Sequence, residues 1–171
     1  PSPFSLSDDP EHIYLCWRCI NWHPTIGCLR MPDEDGGTDF EYEPLQIVQS
    51  TGARPYAKYA SNGKDRIYVT YTTGHPDNEY PNFVYCNAIN PVTLELEDIE
   101  GRKLAQLKDG PHHVNSKADY LKANPAAVVD HSDSRDWVWE MALDSNERPV
   151  IAMVKISADK KSHKYYHVAW T

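Results

Sequence analysis

At 171 residues and 40% apolar content, the chain has room for one domain with a real hydrophobic core. Its 25 acidic residues outweigh 17 basic ones to give a net charge of -8, which excludes the long-range positive field that gathers nucleic-acid phosphates. No run reaches the roughly 18 apolar residues of a membrane helix, and the opening Pro1-Ser2-Pro3-Phe4 has neither the charged nor the apolar region of an export signal, which leaves the compartment open.

Helical periodicity is nearly absent. Short runs rich in Tyr, Val, Ile and Trp alternate with clusters of Gly, Pro, Asn and Asp, the pattern of an all-β chain. In chain order, strands are expected over 13–20, 25–30, 45–49, 56–60, 66–71, 83–89, 137–143, 150–156 and 164–170, with one more inside 94–107. A short polar helix is expected over 116–123, within a connection, 109–135, too long for a hairpin loop. Cysteines stand at 16, 19, 28 and 86, the first two as Cys-x-x-Cys. A strand over 13–20 sends Cys16 and Cys19 to opposite faces, and no second such pair completes a tetrahedral metal set. Packing is therefore the reading of these thiols, and a disulfide is left open.

Strand-turn-strand units recur, and the recurrence sets the architecture. The middle unit, 51–110, is nearly complete: an inner strand over 54–60, the turn Ser61-Asn62-Gly63-Lys64-Asp65, strands over 66–71 and 83–89, and an outer strand inside 94–107. The unit in 1–50 is partial, begins near Ile13 and lacks an inner strand. The unit in 111–171 is a long loop followed by 137–143, the turn Asp144-Ser145-Asn146-Glu147, 150–156 and 164–170. The chain is thus expected to be a single β-propeller segment of about two and a half four-stranded antiparallel blades. Such an arc leaves sheet edges open, and self-association through them is expected.

The turn Asp33-Glu34-Asp35-Gly36-Gly37-Thr38-Asp39-Phe40 resembles the Asp-box of sialidase-type propellers, Ser-x-Asp-x-Gly-x-Thr-Trp. Asp35 and Gly37 match, while Asp33, Asp39 and Phe40 depart from it. An aspartate capping turn amides beside a glycine free to take positive φ is a folding device, so the motif speaks for fold and not for catalysis. Arg54-Pro55-Tyr56-Ala57-Lys58-Tyr59, Asn62-Gly63-Lys64-Asp65-Arg66-Ile67-Tyr68, Thr73-Gly74-His75-Pro76 and Asn82-Phe83-Val84-Tyr85 are similar to the BNR-repeat β-propeller family. So are Trp137-Val138-Trp139, Ala142-Leu143-Asp144 and Pro149-Val150-Ile151-Ala152. The resemblance implies carbohydrate chemistry, because members include polysaccharide lyases of the ulvan-lyase type and propeller glycosidases, and it implies a secreted or periplasmic setting. A closed ring of six or seven blades of about 45 residues exceeds this length, so the chain is expected to be a fragment.

In a four-stranded meander, the loop joining strands two and three lies on the same face as the blade-to-blade connections. His23, in Asn21-Trp22-His23-Pro24, and His75, in Gly74-His75-Pro76, sit in such loops, while Arg54, Arg135 and Trp137 come after connections between blades. All five are expected on one face, with the Asp-box turn on the other. Trp22, Tyr56, Asn82 and Trp137 are the expected substrate-binding residues, since aromatic faces stack on pyranose C–H surfaces and polar groups fix orientation. Trp137 and Trp139 also read as core or channel lining. The resemblance implies His and Tyr roles in lyase chemistry. β-Elimination on a uronate needs a cation at the carboxylate, a base for the adjacent proton and an acid for the leaving oxygen. Arg54 or Arg135 is the candidate cation, His75 or His23 the base, and Tyr85 or Tyr80 the acid. No metal ligands are assigned; the cofactor is unknown, with a divalent ion compatible with the chemistry. His112-His113, His163 and His167 read as solvated. A sialidase-like or rhamnosidase-like hydrolase, a glycan-binding propeller and a structural propeller are the alternatives. The net negative charge weighs against a polyanionic substrate unless Arg54, Arg135 or a metal makes the site locally positive.

Overall fold

The computed structural model describes residues 1–32, 36–50, 52–114 and 127–169. The helix expected over 116–123, Asp33 to Asp35 of the Asp-box turn, and Trp170 lie outside these described residues.

The alternating run after Asp9 becomes a ten-residue strand at the heart of the first sheet. That sheet is β1 (Ser2–Leu6), β2 (Asp9–Arg18), β3 (Pro24–Arg30) and β4 (Leu45–Gln46), antiparallel in that order. The expectation that the first unit lacks an inner strand is corrected by β1. Leu6 is buried there, and the turn after it is held by the next sheet, Ser7 N–H donating to the Gly63 carbonyl (2.9 Å) and Asp8 N–H to that of Lys64 (3.1 Å).

β5 (Val48–Ser50) precedes the second sheet: β6 (Ala57–Ser61), β7 (Ile67–Thr72), β8 (Val84–Asn90), β9 (Glu95–Glu97) and β10 (Lys103–Gln106). The outer strand expected inside 94–107 is therefore two short strands around Asp98. Ile67, Val69, Tyr71, Tyr85 and Ile89 share one core with Tyr14, Cys16, Ile26 and Cys28 of the first sheet. The opposite parity, Val84 and Cys86, shares a second core with Val138, Met141, Ile151 and Met153. Both faces of the middle sheet are covered, which is why neither side of β7 and β8 carries a charged residue.

β11 (His112–Val114) runs parallel to β5, and β12 (Val128–Asp130) adds beside the start of β8. The single strand expected over 45–49 breaks at buried Ile47, whose N–H donates to the Pro24 carbonyl (2.8 Å) while its carbonyl accepts the His112 N–H (3.0 Å). One residue thus hands the chain from β3 to β11.

The third sheet is β13 (Arg135–Leu143), β14 (Pro149–Ile156) and β15 (His163–Ala169). Val138 pairs with Met153 and Glu140 with Ala152, so Trp139 is the extra residue of a bulge. The bulge lets Val138 and Met141, three positions apart, both face the core. β6 lies between the end of β2 and β13. The first and second sheets share one core, and the second and third share the other.

A recurring turn ties the strands. Asn62 Oδ1 accepts the N–H groups of Lys64, Asp65 and Arg66; Asp98 Oδ1 accepts those of Glu100 and Arg102; Asp144 Oδ1 accepts those of Asn146 and Arg148. In the two aspartate turns the arginine four residues on also bonds the carboxylate, Arg102 Nε at 2.6 Å and Arg148 Nε at 3.0 Å. Cys16, Cys28 and Cys86 are buried free thiols and Cys19 an exposed one. No helix among the described residues is long and apolar enough to cross a membrane.

Candidate functional site

Two loops at one end of the sheets build a cleft. Between β2 and β3 the chain makes a 3-10 turn, Ile20–Trp22, with Asn21 at φ 50° and Trp22 at φ 64°. Left-handed backbone at two side-chain-bearing residues is unusual and re-aims the next side chain. Trp22 ends 59% exposed, whereas His23 turns inward to 6% exposure with Nε2 3.3 Å from the Ser50 carbonyl.

The β7–β8 loop is held more tightly. Buried Asn82 accepts the Gly74 N–H (2.9 Å) and donates to the carbonyls of Gly74 (3.0 Å) and Asp136 (2.7 Å), tying the loop to β13. A Cβ at Gly74 would stand 2.6 Å from Glu79 Cγ and 3.0 Å from Ala53 Cβ, so close approach requires glycine there. The His75 carbonyl accepts the N–H groups of Asn78 and Glu79, and its Nδ1 accepts that of Asp77 (3.1 Å). Arg135 Nη1 donates to the carbonyls of Pro76 (2.8 Å) and Glu79 (3.1 Å), and its Nε to that of Ala158 (3.2 Å). Lys160, 2.9 Å from Asp77, holds that carboxyl below its ordinary range.

The cleft measures about 500 Å³ and is lined by Arg18, Trp22, Arg54, Tyr56, His75 and Glu79, among others. Tyr56 packs on His75 (5.2 Å between centroids) and Trp137 (4.9 Å), and Trp137 meets the His75 ring edge-on at 4.7 Å. The Arg18 guanidinium lies 4.1 Å over Tyr56 and 5.7 Å from the Trp22 ring, and that of Arg54 lies 5.9 Å from the Trp22 ring. Neither arginine makes an ion pair among the described residues.

Trp22, Arg54, Tyr56 and His75 therefore meet at the cleft, with Trp137 behind them. The other expected site residues do not. Tyr85 is fully buried, stacked on Tyr71 at 5.3 Å, and burial pushes its phenol up to about 12. His23 faces Ser50, Asn82 is consumed by three backbone bonds, and Arg135 is spent on loop carbonyls. Tyr80 lies under Arg135 (5.1 Å) and does not line the cleft. Arg18 and Glu79 are cleft residues that sequence reasoning missed. Arg18 ends the strand that enters the His23 loop, and Glu79 lies in the His75 loop, so the loop-face rule that selected the two histidines also reaches them.

Behind the loops lies a buried acidic cluster. Asp130 pairs with Lys155, and Ser134 Oγ donates to Asp136. Burial, with the Asp130 carboxylate beside it, pushes Asp136 up to about 7. The folded state therefore holds a proton that the unfolded chain releases near 3.8, so stability falls as pH rises from about 4 to about 7 and then levels. Asp136→Asn keeps the shape without the charge, and is expected to flatten that fall and add about 1–3 kcal/mol at pH 8. Urea unfolding at pH 5 and pH 8 reads it; parallel curves for both proteins would refute the assignment.

Stacked antiparallel meanders with a cleft at the loop end of their inner strands define a segment of a β-propeller. The chain belongs to the BNR repeat-containing family, whose model matches residues 2–171. A solved structure of a polysaccharide lyase of family PL25, an ulvan lyase bound to -[GlcA(1-4)Rha3S]-, is similar with TM-score 0.68, and a second ulvan lyase structure with TM-score 0.67. Each is 20% identical, and each match covers 99% of this chain but 40% of that one. The chain thus spans less than half the length of these neighbours. No curated protein matches it.

Proposed function

We propose that the protein is a polysaccharide lyase that cleaves uronate-containing glycans by β-elimination in the Arg18–Arg54–Tyr56–His75 cleft. The observation that carries the reading is the pair of arginines without carboxylate partners among the described residues, set round Trp22 and Tyr56 beside a histidine. In a chain of net charge -8 they make a local cationic site, which answers the charge objection to an acidic substrate. Their donors suit a planar carboxylate. Tyr56 and His75 are the side chains placed to move protons. With Asp77 N–H on Nδ1, the neutral imidazole carries its proton on Nε2, so His75 is the donor to the leaving glycosidic oxygen. Tyr56, acting as its phenolate, takes the proton from the carbon beside the carboxylate and becomes the phenol. That C–H bond and the bond to the leaving oxygen break, and a carbon–carbon double bond forms between them. This reverses the roles that the sequence suggests, and moves the tyrosine from Tyr85 to Tyr56.

Hydrolysis by paired carboxylates is less well served, because Glu79 is the one carboxylate among the described lining residues. The ulvan lyase neighbours point the same way. The test is ultraviolet absorbance of unsaturated uronate during incubation with a panel of uronate-containing polysaccharides. A rise is expected. New reducing ends without that absorbance would mean hydrolysis, and neither signal would leave a binding or structural propeller.

A further inference from the structure

The Tyr56 ring also walls a second hollow, of about 290 Å³, with Lys58, Trp137 and Trp139. We infer that this hollow is a saccharide subsite, holding sugar rings of the same glycan next to the ring gripped by Arg54 and His75. The inference rests on the function proposed above and extends it along the chain of the substrate.

Three observations support it. Tyr56 lines both hollows and lies 4.9 Å from Trp137, inclined at 38°, in the wall of the second, so a polymer leaving the cleft across Tyr56 meets Trp137 next. Trp139 is 55% exposed, belongs to neither core, and owes its position to the bulge between Val138 and Glu140. Bulges re-aim a side chain at the cost of local ladder bonds, and this one displays an indole that lies outside both cores. Trp137 and Trp139, two residues apart on β13, both line the hollow.

The chemistry of the hollow matches an acidic pyranose. Indole and phenol faces take C–H surfaces, and Lys58 offers a cation across from them. Its contact with Glu140 is loose, 3.6 Å between two exposed side chains, and so is easily exchanged for an anionic substituent on the sugar.

The experiment compares wild type and Trp139→Ala on a long uronate polysaccharide and on its shortest cleavable oligosaccharide. The ratio of kcat/KM, long over short, is expected to fall about three- to tenfold, the loss coming from KM on the long substrate. Trp139→Phe should restore most of it. Titration of the long glycan, monitored by tryptophan fluorescence, should show the same weakening. An unchanged ratio in an active enzyme overturns the subsite and leaves the lyase reading intact. A wild-type protein that neither cleaves nor binds any glycan of the panel overturns both.

Discussion

Replacing His75 with alanine is expected to lower elimination by about two to four orders of magnitude, the loss typical for a positioned proton donor. Alanine also removes the acceptor for the Asp77 N–H, so a slow variant alone would not separate chemistry from loop disorder. His75→Asn does separate them. The asparagine Oδ1 can accept the Asp77 N–H in an Asx turn while nothing occupies the place of Nε2. The asparagine variant is therefore expected to melt close to wild type and to remain as slow as the alanine one. If it turns over within a few-fold of wild type, His75 shapes the loop and does not move a proton.

The same comparison would test Tyr56 and Arg54 only indirectly, because their contacts overlap. Arg18 lies over Tyr56, Tyr56 packs against His75 and Trp137, and Trp137 meets His75 edge-on, so the cleft wall is one packed aromatic unit. Rate losses within such a unit do not add, and each is best read as a difference against its own conservative variant.

The legibility of fold and site in the sequence differs from place to place. The middle sheet is readable because its strands are rich in β-branched and aromatic residues and are separated by a turn with Asn62 and Gly63. β1 is not, since Ser2–Leu6 offers Phe4 and Leu6 as its only apolar side chains and gains its place through the Ser7 and Asp8 amides. The break at Ile47 depends on a parallel partner more than sixty residues away, which local pattern cannot reveal. For the site, loop topology brings Trp22, Arg54, Tyr56 and His75 to the correct end, but depth is beyond it. Strand parity could have corrected Tyr85, which alternates with Asn87 and Ile89 and so faces the first core. Nothing in the sequence decides between Trp22 and His23 as the exposed member of their turn; two left-handed residues settle it. The bulge at Trp139 is likewise invisible until β13 and β14 are paired.

Asn82, expected to touch substrate, is instead the residue whose loss should cost the fold most. Its amide makes three bonds to buried backbone groups of two different sheets, and Asn82→Ala leaves the Gly74 N–H and the Gly74 and Asp136 carbonyls without it. Unsatisfied buried groups cost about 1–3 kcal/mol each, so a total of about 3–5 kcal/mol and a melting point lower by about 10 °C are expected. Asn82→Asp serves as the sharper variant. It keeps an acceptor for the Gly74 N–H but loses both donated bonds and sets a charge against two carbonyls, and should be at least as unstable as alanine. Because Gly74 precedes His75, whatever Asn82→Ala protein remains folded should also lose turnover through misplacement of that ring, with Trp139-dependent binding of long glycan less affected. A melting point within about 2 °C of wild type for Asn82→Ala would show that the loop is held by Arg135 and the Asn82–Ser134 and Asp136–Asn82 backbone bonds alone.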